Sequence, residues 1–209
     1  MKLHLNLLLA LFVVLFANCA SDREISVYSR KDVDTSKSKI LAFPMLLWDG
    51  NKIKPANTSY SNPMIDVLFG KNWASDLGAE NIIIIPKVGL DKIPNVYPAM
   101  DAFITAADGV SAVEQTNPTL TKVLETITKT FGDGAFAIAL VTADKKEYED
   151  SGEVQVTMGL FDTKKLTWKW ITKVKHKNGL VPIPYEVIVK DLVSESYVYL
   201  KKYNNGAVR

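Results

Sequence analysis

The chain has 209 residues, 47% of them hydrophobic and 23% charged, with a formal charge of +2 at pH 7. A single cysteine, Cys19, and two histidines, His4 and His176, leave no basis for a disulfide or for a cysteine- or histidine-built metal cage. Acidic and basic residues are interspersed along most of the chain, so nothing points to a nucleic-acid partner.

Lys2 precedes an apolar run from Leu5 to Phe16, shorter than the roughly 20 residues that a spanning helix needs. It reads as the removable core of an export signal occupying 1–18. The block Leu15-Phe16-Ala17-Asn18-Cys19 resembles the lipobox of bacterial lipoproteins, in which the cysteine thiol takes a diacylglycerol and becomes the new N-terminus. Phe16 stands where that pattern has leucine, and Asn18 where it has glycine, alanine or serine. Lipidation at Cys19 is the expectation, giving an acylated chain anchored to a membrane rather than spanning it. A secretory signal cleaved after Ala17 or Ala20 is the other reading of the same residues. A retained helix is disfavoured by its length and by the polar Asn18, Ser21, Asp22 and Arg23. Ala20 and Ser21 lack the aspartate that holds some lipoproteins in the inner membrane, which points to the outer one.

Residues 19–38, rich in Ser, Asp, Lys and Arg without helical or strand period, read as a flexible tether. A single globular domain is expected over 39–205, large enough to be stable on its core alone. It opens with the continuous apolar run Ile40 to Trp48, the pattern of a strand buried on both faces, with Pro44 where no ladder bond is lost. Asn62-Pro63 caps a helix running to Gly78, and Asn81 to Ile85 is a strand of the sheet centre. Residues 88–98 read as loop and 98–107 as a short helix. Asn117-Pro118 then starts a clearer one, with Leu120, Val123, Leu124 and Ile127 at helical spacing and Gly132 as its stop. A strand over 135–142 follows, and Lys145 to Gly152 reads as a polar loop. Glu153–Phe161 and Leu166–Lys175 alternate and form a hairpin, and a helix from Pro184 carries Tyr185, Ile188, Val189, Leu192, Ser196, Tyr199, Leu200 and Tyr203 on one stripe.

That element order, with the hairpin motif Met158-Gly159-Leu160-Phe161-Asp162-Thr163-Lys164-Lys165-Leu166-Thr167-Trp168, resembles a group of envelope lipoprotein domains. The group comprises the curli-secretion lipoprotein, the N-terminal domain of TolB, the lipoprotein activators of penicillin-binding proteins and transporter auxiliary lipoproteins. Lys164-Lys165 stands where the group has glycine at the turn. The resemblance implies an α/β (α+β) domain like that of TolB: a single mixed sheet of four or five strands, with three to four helices mainly on one side. It also implies a role in assembly rather than catalysis. Independently of the resemblance, Asp162 suits a turn cap and Trp168 suits packing on a sheet. Simple alternation places Trp168 and Trp170 on one face, either as core or as a sticky surface for a partner or the membrane interface.

No residue set singles out a chemistry. His176 reads as a solvated residue at the Lys-rich end of a strand. Glu147, Glu149, Asp150 and Glu153 match no calcium loop and read as a solvated turn. Gly132-Asp133-Gly134 follows a helix instead of opening one, so it is a turn rather than a phosphate cradle. Asn57-Thr58-Ser59 fits the glycosylation triplet by chance. No cofactor is implied. The expected function is therefore that of a non-enzymatic accessory or adaptor in an envelope assembly or transport complex, with an envelope protein as partner. The alternative is a ring-forming export-pore lipoprotein, and the sequence leaves the oligomeric state open.

Overall fold

The computed structural model describes residues 22–29, 38–49, 53–55, 81–100, 118–132, 134, 136–164, 167–179 and 181–204. Cys19, the helix expected over 62–78, residues 101–107 and the Asn57 triplet lie outside them. The strands are β1 (Asp22–Ser29), β2 (Lys39–Ala42), β3 (Leu46–Trp48), β4 (Ile53–Pro55), β5 (Asn81–Ile84), β6 (Phe136–Ala143), β7 (Glu153–Asp162) and β8 (Thr167–Lys177). The helices are α1 (Lys87–Leu90), α2 (Pro118–Phe131), α3 (Lys145–Ser151) and α4 (Tyr185–Asn204), with a further helical stretch at 96–100. The fold is mixed α/β.

The strands join in one sheet in the order β1-β8-β7-β6-β2-β5, with β3 on β6 and β4 on β3. Pairing is parallel for β2 with β5 and for β2 and β3 with β6, and antiparallel from β6 through β7 and β8 to β1. Eight described strands replace the expected four or five. The additions are the β3–β4 hairpin and β1, which lies within the segment expected as a tether. β1 forms because its whole length pairs with β8, from Asp22 against Lys177 to Ser29 against Trp170. This ladder satisfies backbone groups that an isolated charged segment would leave to water. The strand at Asn81–Ile84 also departs from expectation, ending the described order instead of sitting at the sheet centre, with Ile84 exposed.

Helices cover both faces, not mainly one. On one face α4 lays Tyr185, Ile188, Val189, Leu192, Val193 and Leu200 over Val154, Val156, Met158, Leu160, Trp170 and Val174. On the other, α2 and the 90–100 segment bring Val123, Leu124, Ile127, Leu90, Val96 and Met100 onto Leu41, Phe161, Trp168 and Ile171. Each fully buried aliphatic side chain contributes about 1.5–3 kcal/mol, so neither layer is dispensable. The apolar run Ile40–Ala42 serves both cores, as a doubly buried strand must. The second half of the expected run Ile40–Trp48 is β3, with Pro44 in the break between two stretches that pair with the same strand.

The hairpin contains the feature that decides which faces are free. Phe161 pairs with Trp168 and Leu160 with Trp170, so Lys169 is an extra residue in β8. A bulge of this kind breaks the two-residue alternation. Trp168 consequently joins one core and Trp170 the other, correcting the expectation of one shared face. Trp168 lies edge-on to Phe161, ring centroids 5.1 Å apart, and across Gly159, where a β-carbon would stand 2.2 Å from its ring. Asp162 caps the turn as expected, its Oδ1 accepting the Lys164 N–H at 2.9 Å.

Helix α2 begins at Pro118 and ends before Gly132, whose φ is +120°. α3 was not expected. It occupies the polar stretch after Asp144, ends on the left-handed Gly152 (φ 69°) and is held down by one buried apolar side chain, Tyr148. Gly159→Ala is expected to lower the urea midpoint by an amount equivalent to about 1–3 kcal/mol, because the buried Trp168 ring cannot yield. An unchanged or higher midpoint would contradict the packing described.

Candidate functional site: the β1 edge and the sheet end where it begins

With the large apolar side chains of both faces covered, the described sheet meets its surroundings at its margins and over the polar stretch of Glu24, Glu153, Gln155, Lys175 and Lys177. β1 pairs with β8 only and forms one margin of the described sheet. Asp22 to Ser26 are exposed and Val27, Tyr28 and Ser29 half-buried. The apolar end of the strand fastens it, Val27 reaching the α4 core and Tyr28 the opposite one. Ile25 stays 39% exposed. Arg23 Nη1 donates to Glu195 Oε2 at 2.9 Å, tying the strand to α4. An edge of this length can accept another strand, and the charges of Asp22, Arg23 and Glu24 are the usual means by which proteins restrain such pairing.

Where β1 begins, the sheet carries a charge ladder. Asp22 pairs with Lys177 and Lys177 with Glu153, and Glu24 pairs with Lys175. The Glu153 carboxylate receives Lys175 and Lys177, each at 2.9 Å. These two ammonium groups, Lys177 first, hold its pKa down to about 2, and the carboxylate in turn raises that of Lys175. Asp22, Glu24 and Glu153 thus alternate with Lys175 and Lys177, so the ladder mixes both signs and offers no cluster of one sign to a charged ligand.

The same end holds a half-buried polar node. Asn178 Oδ1 accepts from Tyr148 Oη at 2.8 Å and from the Ile183 N–H at 3.3 Å, with His176 Nε2 at 3.2 Å. Asn178 N–H also reaches the Gly152 carbonyl at 2.8 Å. One amide thus links β8, α3 and the approach to α4. His176 is fully buried, not solvated as the neighbouring lysines led us to expect. Counting in twos from Trp170 through Thr172 and Val174 would have placed it inward. Among the described residues, Trp170 Nε1, Thr172 Oγ1 and His176 Nδ1 on this inward face of β8 have no hydrogen-bond partner.

The remaining sequence candidates fall as follows. Glu147, Glu149 and Asp150 lie on α3 rather than in a turn, and among the described residues no three His, Cys, Asp or Glu side chains gather as a metal site. A cleft of about 370 Å³ lined by Ile93, Asn95, Pro118, Thr119, Lys122 and Thr126 offers one cation, one amide and two hydroxyls, with no carboxylate, histidine or cysteine among its lining residues. Among the described residues no helix is long and apolar enough to cross a membrane.

No family model matches the chain, and no curated protein matches it. Among solved structures it is similar to the PelC dodecamer from Paraburkholderia phytofirmans, at 10% identity over 86% of this chain and 98% of that one, with a TM-score of 0.44. A single-substitution form of the same dodecamer gives 9% identity, coverage of 86% and 99%, and a TM-score of 0.43. PelC is none of the groups named from the hairpin motif, and neither likeness is close enough to carry an inference about this chain.

The ladder gives a test. The folded-state pKa of Glu153, about 2, lies below its ordinary value of 4.5. Its contribution to stability is therefore present above about pH 4.5 and is lost as the pH falls towards 2. Glu153→Gln should flatten the loss of stability across that window in low salt, followed by urea midpoints, and the difference from the parent should shrink in high salt because the pairs are exposed. Identical acid profiles for both proteins would remove the ladder as a source of stability.

Proposed function

We propose that this chain is a lipoprotein of the bacterial cell envelope, held at a membrane through a lipid on Cys19, the outer membrane fitting better than the inner. In this reading it acts without catalysis, as an accessory of an assembly or transport complex, and takes its protein partner by strand addition along β1. The observation that carries the reading is the position of β1: a strand margin eight residues long, with its exposed Ile25, directly following the lipobox-like block. Backbone hydrogen bonds supply affinity in such pairing, and alternate side chains supply selectivity.

The export-pore alternative requires lipid-facing apolar segments of about 9–11 residues. β7 and β8 have the length, at 10 and 11 residues, but their large apolar side chains are spent on the two cores. That leaves the accessory role as the better supported of the two.

A photo-crosslinking residue in place of Ile25, in the lipidated protein in its own envelope, should give one discrete adduct containing a second polypeptide. The same residue in place of the exposed Lys164, at the far end of the hairpin, should give none. Loss of the Ile25 adduct, or equal adducts at both positions, would contradict the edge as the binding surface. A ladder in steps of the mass of the lipidated chain itself would instead favour the ring.

A further inference from the structure

The chain enters β1 and leaves β8 at the same end of the sheet, because Asp22 and Lys177 are cross-strand partners. Only Ala20 and Ser21 separate Cys19 from Asp22, a span of at most about 11 Å over the three Cα steps. The polar layer on each side of a bilayer is itself about 5–8 Å thick. A lipid on Cys19 would therefore hold this end of the sheet at the headgroup layer. Residues 178–184, which follow β8 there, contain no charged side chain. The Asn178–Ile183 hydrogen bond turns the segment back on itself, and Pro182 and Pro184 are exposed. Val181 is 70% exposed, the highest among the exposed large hydrophobic residues that are described, and Val187 in the first turn of α4 is 50% exposed.

We infer that the loop around Val181 and Pro182 is a membrane-contact surface, seated in the headgroup region of the bilayer that carries the anchor. The inference rests on the lipid-anchor reading above and adds a second point of contact. The diacyl chains already provide the affinity, so the effect of the loop is orientation. Contact at the loop would stand the strands away from the surface, with the β7–β8 turn about 33 Å distant at the far end of the ten-residue β7. The β1 margin would then run outward from the membrane, open along its length. The ladder beside the loop and α3 at the same end both mix acidic and basic side chains, so the contact is confined to the apolar loop and does not depend on anionic lipid.

The test uses the full-length lipidated protein in vesicles of phosphatidylethanolamine and phosphatidylglycerol. With the Cys19 thiol acylated, Val181→Cys supplies the sole free thiol of the chain, at a surface position that tolerates change. An environment-sensitive fluorophore there should shift its emission to the blue, lose quenching by aqueous iodide and gain quenching by headgroup-level spin-labelled lipid. The same label on Lys164→Cys should remain aqueous. The blue shift should persist when phosphatidylglycerol is omitted. A label at 181 that stays aqueous while the intact mass shows a diacylglyceryl group on Cys19 overturns the inference and leaves the anchor standing. An intact mass with a free Cys19 thiol overturns both.

Discussion

One extra residue in β8 sets the terms for the rest of the molecule. Lys169 breaks the alternation of the hairpin, so Trp168 and Trp170 enter different cores and each face of the sheet gains a large anchor. Gly159 is the counterpart that makes room for the first of them. With α4 over one face and α2 with the 90–100 segment over the other, the apolar surface of the hairpin is consumed internally. Among the described residues, what the sheet leaves open is the β1 margin, its ends and the polar stretch of Glu24, Glu153, Gln155, Lys175 and Lys177.

The second consequence comes from β1. A segment with the composition of a solvated tether is instead bound along its length to β8 and tied by Arg23 to α4. A tether of 20 residues gives a domain some tens of ångströms of reach, whereas the two residues Ala20 and Ser21 give almost none. A lipid at Cys19 would then constrain the orientation of the whole domain, because the anchored segment continues directly into the sheet. Reach and orientation are opposite designs, and the β1–β8 pairing decides between them.

Much of the fold was legible where a local signal sufficed. The Asn117-Pro118 start and Gly132 stop delimited α2, and alternation with the Asp162 turn gave the hairpin. The apolar stripe gave α4, where Tyr185, Ile188, Leu192, Ser196 and Leu200 are indeed buried. What failed had no local signal. β1 has only three large apolar residues and owes its state to a partner strand some 150 residues away. α3 has one buried side chain, Tyr148, in a stretch otherwise charged or small. The bulge defeats any count made in twos across Lys169, and the same count resumed after it would have found His176. The doubly buried run at Ile40–Ala42 already implied cover on both faces, although the resemblance argued for one. Of the candidate site, the open margin could not be read from sequence, since it depends on which strand lies outermost.

The central claim is that Asp22–Ser29 belongs to the sheet and is not a leash. Amide hydrogen exchange on the full-length protein, resolved residue by residue across this segment, tests it most directly. Antiparallel pairing with a single neighbour predicts alternation, every second amide slowed by its bond to β8 and the intervening ones open to solvent. Uniformly fast exchange from Asp22 to Ser29 would restore the flexible tether and contradict the account.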